Sequence, residues 1–223
     1  MLQNKIALIM NATTPFASAV ARIFAYEKSH VVLVDEDMQK LASLEKEIIF
    51  LKGKVTTITM NFSNTDTVGI LTSNLESTFN KLDILVSSAG TMTELKLLTD
   101  FHHNEWLNII NTGIIFHWTL LRSLDKLLKR SGNGRVIFGI IGDIPDQLHS
   151  PYIVVNNALK SLLHCYALEN KHSSVKANII SLSKDQLSEQ DENTQTSELL
   201  AEMFLDLASP KIKTTGQIYH PIL

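Results

Sequence analysis

A turn near the N-terminus, at residues 11–15, has the layout of a phosphate-binding site. Residues 6–10 are apolar on both alternating faces, which predicts a strand covered on both sides, as in a parallel sheet. Thr13 and Thr14 offer hydroxyls for a helix N-cap and Pro15 suits the first helical position, so a helix is expected to begin directly after the turn. Unpaired N–H groups and the helix dipole favour an anion at such a place. The turn contains no glycine that would let a phosphate approach closely, so the layout of a dinucleotide site is present without its usual residues.

Asp35 could supply the chemistry that completes such a site. The segment HVVLV at residues 30–34 predicts a second buried strand, and Asp35, Glu36 and Asp37 follow it at the sheet edge where the first turn also lies. A carboxylate at this place can accept hydrogen bonds from an adenosine ribose and would repel the additional phosphate of NADP. Helix capping is the alternative, because apolar residues at helical spacing follow from Met38 and acids favour a helix start. The sequence favours neither interpretation over the other.

The chain has the alternating elements that would position these residues. Residues 55–60 alternate as a third strand, a helix is expected to run through residues 75–79, and residues 82–86 form a fourth apolar run. Three β–α repeats followed by a fourth strand predict an α/β fold with a doubly wound parallel sheet. The 223 residues are 44% hydrophobic and show no compositional break, so residues 1–223 are expected to form one domain.

The composition excludes several classes of function. The net charge of -3 with mixed signs gives no basic surface for nucleic acid or an anionic membrane, and no run approaches the roughly 20 apolar residues of a membrane span. Cys165 is the only cysteine, which rules out an intrachain disulfide and agrees with a reducing compartment. Because a signal-peptide pattern is also missing, a cytoplasmic protein is expected. No metal site is expected, since metal-ligand spacing is lacking among the histidines His102, His103, His117, His149, His164, His172 and His220.

The order of motifs resembles the short-chain dehydrogenase/reductase family over essentially the whole chain. The SSAG at residues 87–90 resembles the NNAG of that family, and WLNIINTGIIFHWTLLR at residues 106–122 is similar to its long central helix. Segments similar to the motifs of the fifth, sixth and last strands are GRV at 134–136, VKANIIS at 175–181 and TGQI at 215–218. The resemblance implies a Rossmann-like sheet of about seven strands between two helical layers, with NAD or NADP as the cofactor of a hydride transfer.

The resemblance also implies a catalytic tyrosine, Tyr152, whose phenol would exchange a proton with a carbonyl or alcohol oxygen. The family's lysine, four residues later, is Asn156 here, and an uncharged amide cannot favour a phenolate as a lysine does. Lys160, one turn further on the same helix face, could replace that lysine or could be an ordinary surface or interface residue. The family's serine falls within residues 139–142, which carry no hydroxyl, and its helix asparagine is Gly113. Because such residues act as one catalytic unit, losing several of them leaves little of the standard mechanism.

The cofactor motif implied by the resemblance is altered as well. The three glycines of TGxxxGxG correspond to Asn11, Pro15 and Ala17. Asparagine tolerates a left-handed backbone, whereas proline lacks an N–H group and alanine adds a methyl group near the pyrophosphate. Binding of NAD or NADP is therefore expected to be weak or absent. The residues expected to contact the cofactor, if it binds, are Asn11, Phe16 through its N–H group, Asp35, Asn61, Ala89, Gly90 and Asn156.

These observations leave two principal hypotheses. The first is a family member without standard hydride transfer that acts by binding a ligand, a partner or further copies of itself. The rival is a divergent NAD-dependent oxidoreductase that acts on a small carbonyl or alcohol through Tyr152 with Lys160 or a bound water; a nucleotide sensor without turnover is a third interpretation. Relatives associate through the helices at residues 104–128 and 151–168, so a homodimer or homotetramer, or a mixed oligomer with an active relative, is expected. The apolar residues that could extend this seam or face their own sheet are Ile114, Trp118, Leu121, Leu159 and Leu163.

Overall fold

The chain folds around one parallel sheet. The computed structural model describes residues 1–88, 96–142, 148–182 and 194–221. The strands are β1 (Ile6–Met10), β2 (His30–Asp35), β3 (Lys54–Thr59), β4 (Ile84–Ser88), β5 (Arg135–Ile141), β6 (Lys176–Leu182) and β7 (Ile218–Tyr219). Their spatial order is β3-β2-β1-β4-β5-β6-β7, and every pairing is parallel. The predicted doubly wound parallel sheet of about seven strands is confirmed.

Helices cover both faces of this sheet. They are α1 (Pro15–Tyr26), α2 (Met38–Phe50), α3 (Asp66–Phe79), α4 (His103–Ile110), α5 (Phe116–Arg130), α6 (Ser150–Glu169) and α7 (Thr194–Ala208). Side chains of β1 alternate between two cores: Ala7 and Ile9 pack with α1, α2 and α7, whereas Leu8 and Met10 pack with α3, α5 and α6. This alternation is why the segment is apolar at every position, and it confirms the three-layer arrangement. In the described part of the chain, no helix is long and apolar enough to cross a membrane.

The strand order reverses beside β1. The chain moves outward from β1 to β3, and β4 then returns to pair with the opposite side of β1. The connections that leave β1 and β4 therefore diverge, which opens a crevice at the carboxyl ends of these strands. Asn11 follows β1 at this edge, and Ser88 ends β4 beside it. The fold thus brings together the residues that the sequence places after successive strands.

The opposite edge of the sheet holds two buried charges that stabilise the fold. The Asp83 carboxylate accepts hydrogen bonds from the backbone N–H of Ile6 and the hydroxyl of Ser131, and it pairs with Lys5 and Lys81. Burial alone would raise the pKa of Asp83, but these hydrogen bonds together lower it.

Arg135, the first residue of β5, is the second buried charge. Its guanidinium donates to the carbonyls of Gly134, Ser209 and Ile212 at 2.9, 3.2 and 3.1 Å. Buried charges are tolerated only when hydrogen-bonded in this way. Arg135 therefore ties the segment after α7 to the start of a central strand.

Candidate functional site

The turn between β1 and α1 bends through Asn11. This residue has a φ of +50°, a left-handed conformation that asparagine adopts more readily than most residues. Its side-chain amide donates to the Ser88 carbonyl at 3.4 Å, which bridges the ends of β1 and β4. Asn11 thus supplies the backbone geometry of the missing glycine, and its side chain lies across the crevice.

Asp35 lies beside this turn, as expected of an acid that could hold a ribose. Its Oδ2 atom accepts from both the backbone N–H and the hydroxyl of Thr13, each at 2.9 Å. Its Oδ1 atom accepts from the backbone N–H groups of Glu36 and Asp37 at 2.8 and 3.2 Å. A carboxylate has about four acceptor sites, so the chain's own donors fill all of them.

Thr13 and Thr14 do not cap a helix through their side chains, which corrects that expectation, whereas capping by an acid of the run at residues 35–37 is confirmed at Asp37 and not at Asp35. The N-cap of α2 is Asp37, whose carboxylate accepts from the N–H groups of Gln39 and Lys40. The N-cap of α1 is Thr14, but its hydroxyl donates to the Asn11 carbonyl at 2.9 Å instead of accepting from the first turn. The Thr13 hydroxyl is directed to Asp35. Both hydroxyls therefore donate to acceptors in or beside the turn.

The start of α1 offers few donors to an anion. Pro15 occupies the first turn and has no N–H group. The side chain of Phe16 is buried against Phe204 of α7, with ring centroids 5.7 Å apart. Ala17 is fully buried, so its methyl group is part of the core. Any contact of Phe16 with a phosphate therefore depends on its backbone N–H alone, as the sequence predicts.

Of the remaining predicted cofactor contacts, the structure describes Asn61 at the same edge of the sheet. Asn61 follows β3 and is exposed, and its side-chain oxygen accepts from the Ser63 N–H at 2.8 Å, which leaves the amide nitrogen for an adenine. Ala89 and Gly90 lie outside the described residues. Asp143, an acid that follows the fifth strand close to the place of the missing serine, also lies outside the described residues.

Tyr152 stands in the first turn of α6, half-buried beside a histidine. The ring of His149 lies 5.8 Å from the Tyr152 ring, centroid to centroid, at an interplanar angle of 36°. His149 is buried and directly precedes the helix. From the sequence, His149 was expected only not to bind a metal; its position three residues before Tyr152 at a helix start is the signal that the two rings meet. The described residues contain no group of three or more His, Cys, Asp or Glu side chains that could hold a metal ion.

Asn156 replaces a lysine with a structural amide. Its side chain is buried on α6, and its Oδ1 atom accepts from the Ile141 N–H at the end of β5 at 3.2 Å. Its Nδ2 atom is buried without a hydrogen-bond partner among the described residues. Asn156 therefore joins α6 to the strand end where a serine hydroxyl would be needed.

Apolar side chains surround Gly139, at the start of the segment within which the serine falls, and Gly113, in the place of the asparagine. A Cβ atom at Gly139 would lie 3.2 Å from Leu182 and 3.4 Å from Phe204. A Cβ atom at Gly113 would lie 2.7 and 2.8 Å from the two Cγ atoms of Val155. The site thus has no room for a polar side chain at Gly113 unless Val155 moves.

Gly113 also marks a departure from the continuous helix predicted at residues 106–122. Residues Asn111–Ile115 form a π-helical turn between α4 and α5. Such turns are often found at functional sites. His117 follows this turn, buried, and its Nε2 atom donates to the Ser88 carbonyl at 3.0 Å. Burial lowers the pKa of His117 to about 4, so the ring is neutral near pH 7. Nothing in the sequence pattern distinguished this histidine from the others.

Lys160 lies away from Tyr152. Eight residues of helix separate the two, about 12 Å along the axis. Lys160 borders a cavity of about 240 Å³ between α6, β6 and β7, together with His164, Asn178 and Gly216. This placement gives no support to Lys160 as a substitute for the lysine replaced by Asn156.

The residues present therefore do not fit a nicotinamide dinucleotide in the manner implied by the resemblance, because acceptors, donors and charge are missing or already engaged.

Comparisons with known proteins agree on the family. Residues 5–190 match the short chain dehydrogenase family. The chain is 23% identical to 3-oxoacyl-(acyl-carrier-protein) reductase of Thermotoga maritima over 80% of its own length and 73% of the reductase. It is 26% identical to L-fucose dehydrogenase of Oryctolagus cuniculus over 80% of its own length but only 62% of that enzyme. A metagenomic short-chain oxidoreductase solved in complex with NADP superposes with a TM-score of 0.85 at 19% identity, covering 100% of this chain and 99% of that one. The chain belongs to the short-chain dehydrogenase family.

Proposed function

We propose that this chain uses the short-chain dehydrogenase fold for binding and not for the standard hydride transfer of the family. One observation carries the proposal: Asn156 brings an amide where a charged ammonium is required, and its oxygen is already bonded to the Ile141 N–H. An uncharged amide lacks the charge–charge attraction by which an ammonium group favours a phenolate. Tyr152 then lacks the neighbour that would make it an effective acid or base near neutral pH.

The packing around the other lost groups supports the same proposal. Val155 occupies the space beside Gly113, and leucine and phenylalanine side chains surround Gly139. Asp35 is saturated by donors of its own chain. Binding of NAD or NADP is therefore weak or absent in this proposal. A cytoplasmic location is also part of it, supported by the single cysteine.

Exposed apolar side chains support an oligomer as the working form. Leu121, Leu159 and Leu163, which the sequence offered for a seam, are buried in the chain's own core, because their faces of α5 and α6 turn toward the sheet. Trp118 is exposed, and the same outer surface adds Ile115, Ile153 and Val154. Exposed apolar patches of this kind mark interaction sites. A homodimer or homotetramer, or a mixed oligomer with an active relative, is proposed on this basis.

The oligomer is tested by light scattering coupled to gel filtration. Trp118→Glu places a charge in the exposed patch and should reduce the mass toward that of the monomer. Phe50→Glu is the matched control, because Phe50 is exposed on α2, which packs on the opposite face of the sheet. A wild-type mass equal to that of one chain would contradict the proposed association.

The loss of hydride transfer is tested by titrating NADH, NAD, NADPH and NADP, using calorimetry and thermal shift, and by assaying turnover on a panel of small carbonyls and alcohols. We expect no turnover with any of them. Turnover that disappears in Tyr152→Phe would overturn the proposal. Tyr26→Phe is the control variant. Tyr26 is exposed on α1, and this substitution removes the same phenolic hydroxyl at a place outside the proposed site.

A divergent NAD(P)-dependent oxidoreductase is the second candidate. The specific observation in its favour is the buried ring of His149 against Tyr152, which brings a second titratable group to the phenol. In this case His149→Gln should lower turnover together with Tyr152→Phe. Lys160→Met should leave the rate unchanged, whereas loss of turnover in Lys160→Met would return that lysine to the mechanism.

A further inference from the structure

We infer that Thr13 controls whether the adenosine ribose of a dinucleotide can reach Asp35, so that this one side chain sets the affinity of the crevice for NAD and NADH. The inference rests on the proposed function in one respect, namely that dinucleotide binding at this site is weakened. It assigns that weakening to a contact within the chain, between the turn after β1 and the end of β2.

The contact is made twice by the same residue. Both the N–H and the hydroxyl of Thr13 donate to Oδ2 of Asp35 at 2.9 Å. The other carboxylate oxygen is held by the N–H groups of Glu36 and Asp37, which adjoin it in the chain. Only the Thr13 hydroxyl is a side-chain donor, and therefore it is the one donor that a substitution can remove without altering the backbone.

A ribose would compete directly with this hydroxyl. The two hydroxyls of an adenosine ribose are donors that an acidic residue at the end of the second strand accepts. At Asp35 they meet a carboxylate whose roughly four acceptor sites are filled. Binding must therefore break a charge-assisted hydrogen bond before it makes one, and the exchange yields little net affinity.

The turn provides a matched comparison. Thr14 is the next residue, and its hydroxyl donates at 2.9 Å to the Asn11 carbonyl and not to Asp35. Removing either hydroxyl changes the same residue type in the same turn. Only the removal at Thr13 frees an acceptor on Asp35.

The experiment is calorimetric titration of NADH and NADPH into the full chain and into Thr13→Val, Thr13→Ser and Thr14→Val. Thr13→Val should bind NADH about tenfold more tightly than the wild type. This factor corresponds to the free energy of one hydrogen bond to a charged group. Thr13→Ser keeps the hydroxyl and should match the wild type within about twofold. Thr14→Val keeps the contact with Asp35, so it should show no gain in NADH affinity. The gain should be restricted to NADH, because the Asp35 charge repels the additional phosphate of NADPH. If Thr13→Val does not fold, Thr13→Ala removes the same hydroxyl and replaces it in the comparison.

Three outcomes would overturn the inference. They are equal NADH affinities in Thr13→Val and wild type, a similar gain for NADPH, and the absence of NADH binding in both proteins at millimolar concentration. None of these three measurements involves turnover. The proposed absence of hydride transfer fails if the wild type catalyses a Tyr152-dependent reaction, so the two failures are distinguishable.

Discussion

Substituting Gly113 by alanine tests whether the place of the missing asparagine is closed by packing. The substitution adds one methyl group in the π-helical turn, 2.7 and 2.8 Å from the two Cγ atoms of Val155. Ordinary contacts of a Cβ atom are longer than 3.0 Å. Val155 is buried and β-branched, so rotation about χ1 exchanges one methyl contact for another and gives no relief. We therefore expect the helix backbone or α6 to shift.

The magnitude follows from two opposing effects. Overpacking of a filled core costs about 1–3 kcal/mol. Replacing glycine by alanine within a helix returns about 1 kcal/mol. Gly113→Ala should therefore lower the free energy of unfolding by about 1 kcal/mol, with an upper limit of about 2 kcal/mol. Gly69→Ala is the matched control, because Gly69 lies in α3 with no atom within 4 Å of its added Cβ. This control should stabilise the chain by about 0.5–1 kcal/mol.

Urea denaturation followed by circular dichroism measures both changes. In a Val155→Ala background, which removes the obstructing methyl groups, Gly113→Ala should become neutral or stabilising. Such a reversal would be the signature of a pairwise steric conflict. A Gly113→Ala protein at least as stable as the wild type would refute the reasoning, and Gly113→Asn would then be worth constructing as a step toward the family's proton relay.

Three further predictions concern the polar groups of the core. His117 has a folded pKa of about 4 against 6.5 for a free histidine, so its contribution to stability is complete above pH 6.5 and is lost as the pH falls toward 4. Wild type should lose about 2 kcal/mol more than His117→Gln between pH 7 and pH 5 in denaturation experiments, and parallel losses would exclude this histidine as the cause. Asp83→Asn should lower the free energy of unfolding by about 2 kcal/mol. This loss is smaller than the loss on breaking a fully buried ion pair, because Lys5 and Lys81 are partly exposed to water. An unchanged urea midpoint would contradict this prediction. Tyr166→Phe removes a 2.9 Å bond to Asp125 and should cost about 1 kcal/mol by the same measurement, whereas a more stable variant would show that the bond is not favourable.

The architecture could be predicted from the sequence because its elements follow hydrophobic patterning. Residues 6–10 were expected as a doubly covered strand, and β1 has those bounds. The fourth strand was placed at residues 82–86, whereas β4 is Ile84–Ser88. Leu82 is buried without being in the strand, and Ser87 and Ser88 belong to the strand although they are polar. The hydrophobicity of a residue indicates whether it is buried, but not whether its backbone pairs with a neighbouring strand. The bounds of β4 therefore could not be predicted from hydrophobicity alone.

The candidate site was predictable only in part. Asp35 was placed at the correct edge, because a strand end fixes where the next residue lies. That Thr13 engages it was not predictable, since a hydrogen bond between residues 22 apart depends on how two strands and a turn are arranged. For a related reason the sequence left open whether Leu121, Leu159 and Leu163 extend a seam or face their own sheet, and the structure shows the second alternative. Helical spacing shows that residues share a face, but not which neighbour covers that face.

The buried guanidinium of Arg135 has a consequence for where the chain can be shortened. Two of its three carbonyl acceptors belong to Ser209 and Ile212, beyond residue 190, where the match to the family ends. A truncation at that boundary would strand a desolvated cation inside the protein, and the penalty for an unpaired buried charge is several kcal/mol, comparable to the whole stability of a small domain. The last thirty or so residues are therefore a structural requirement of the sheet, and any expression design should retain them.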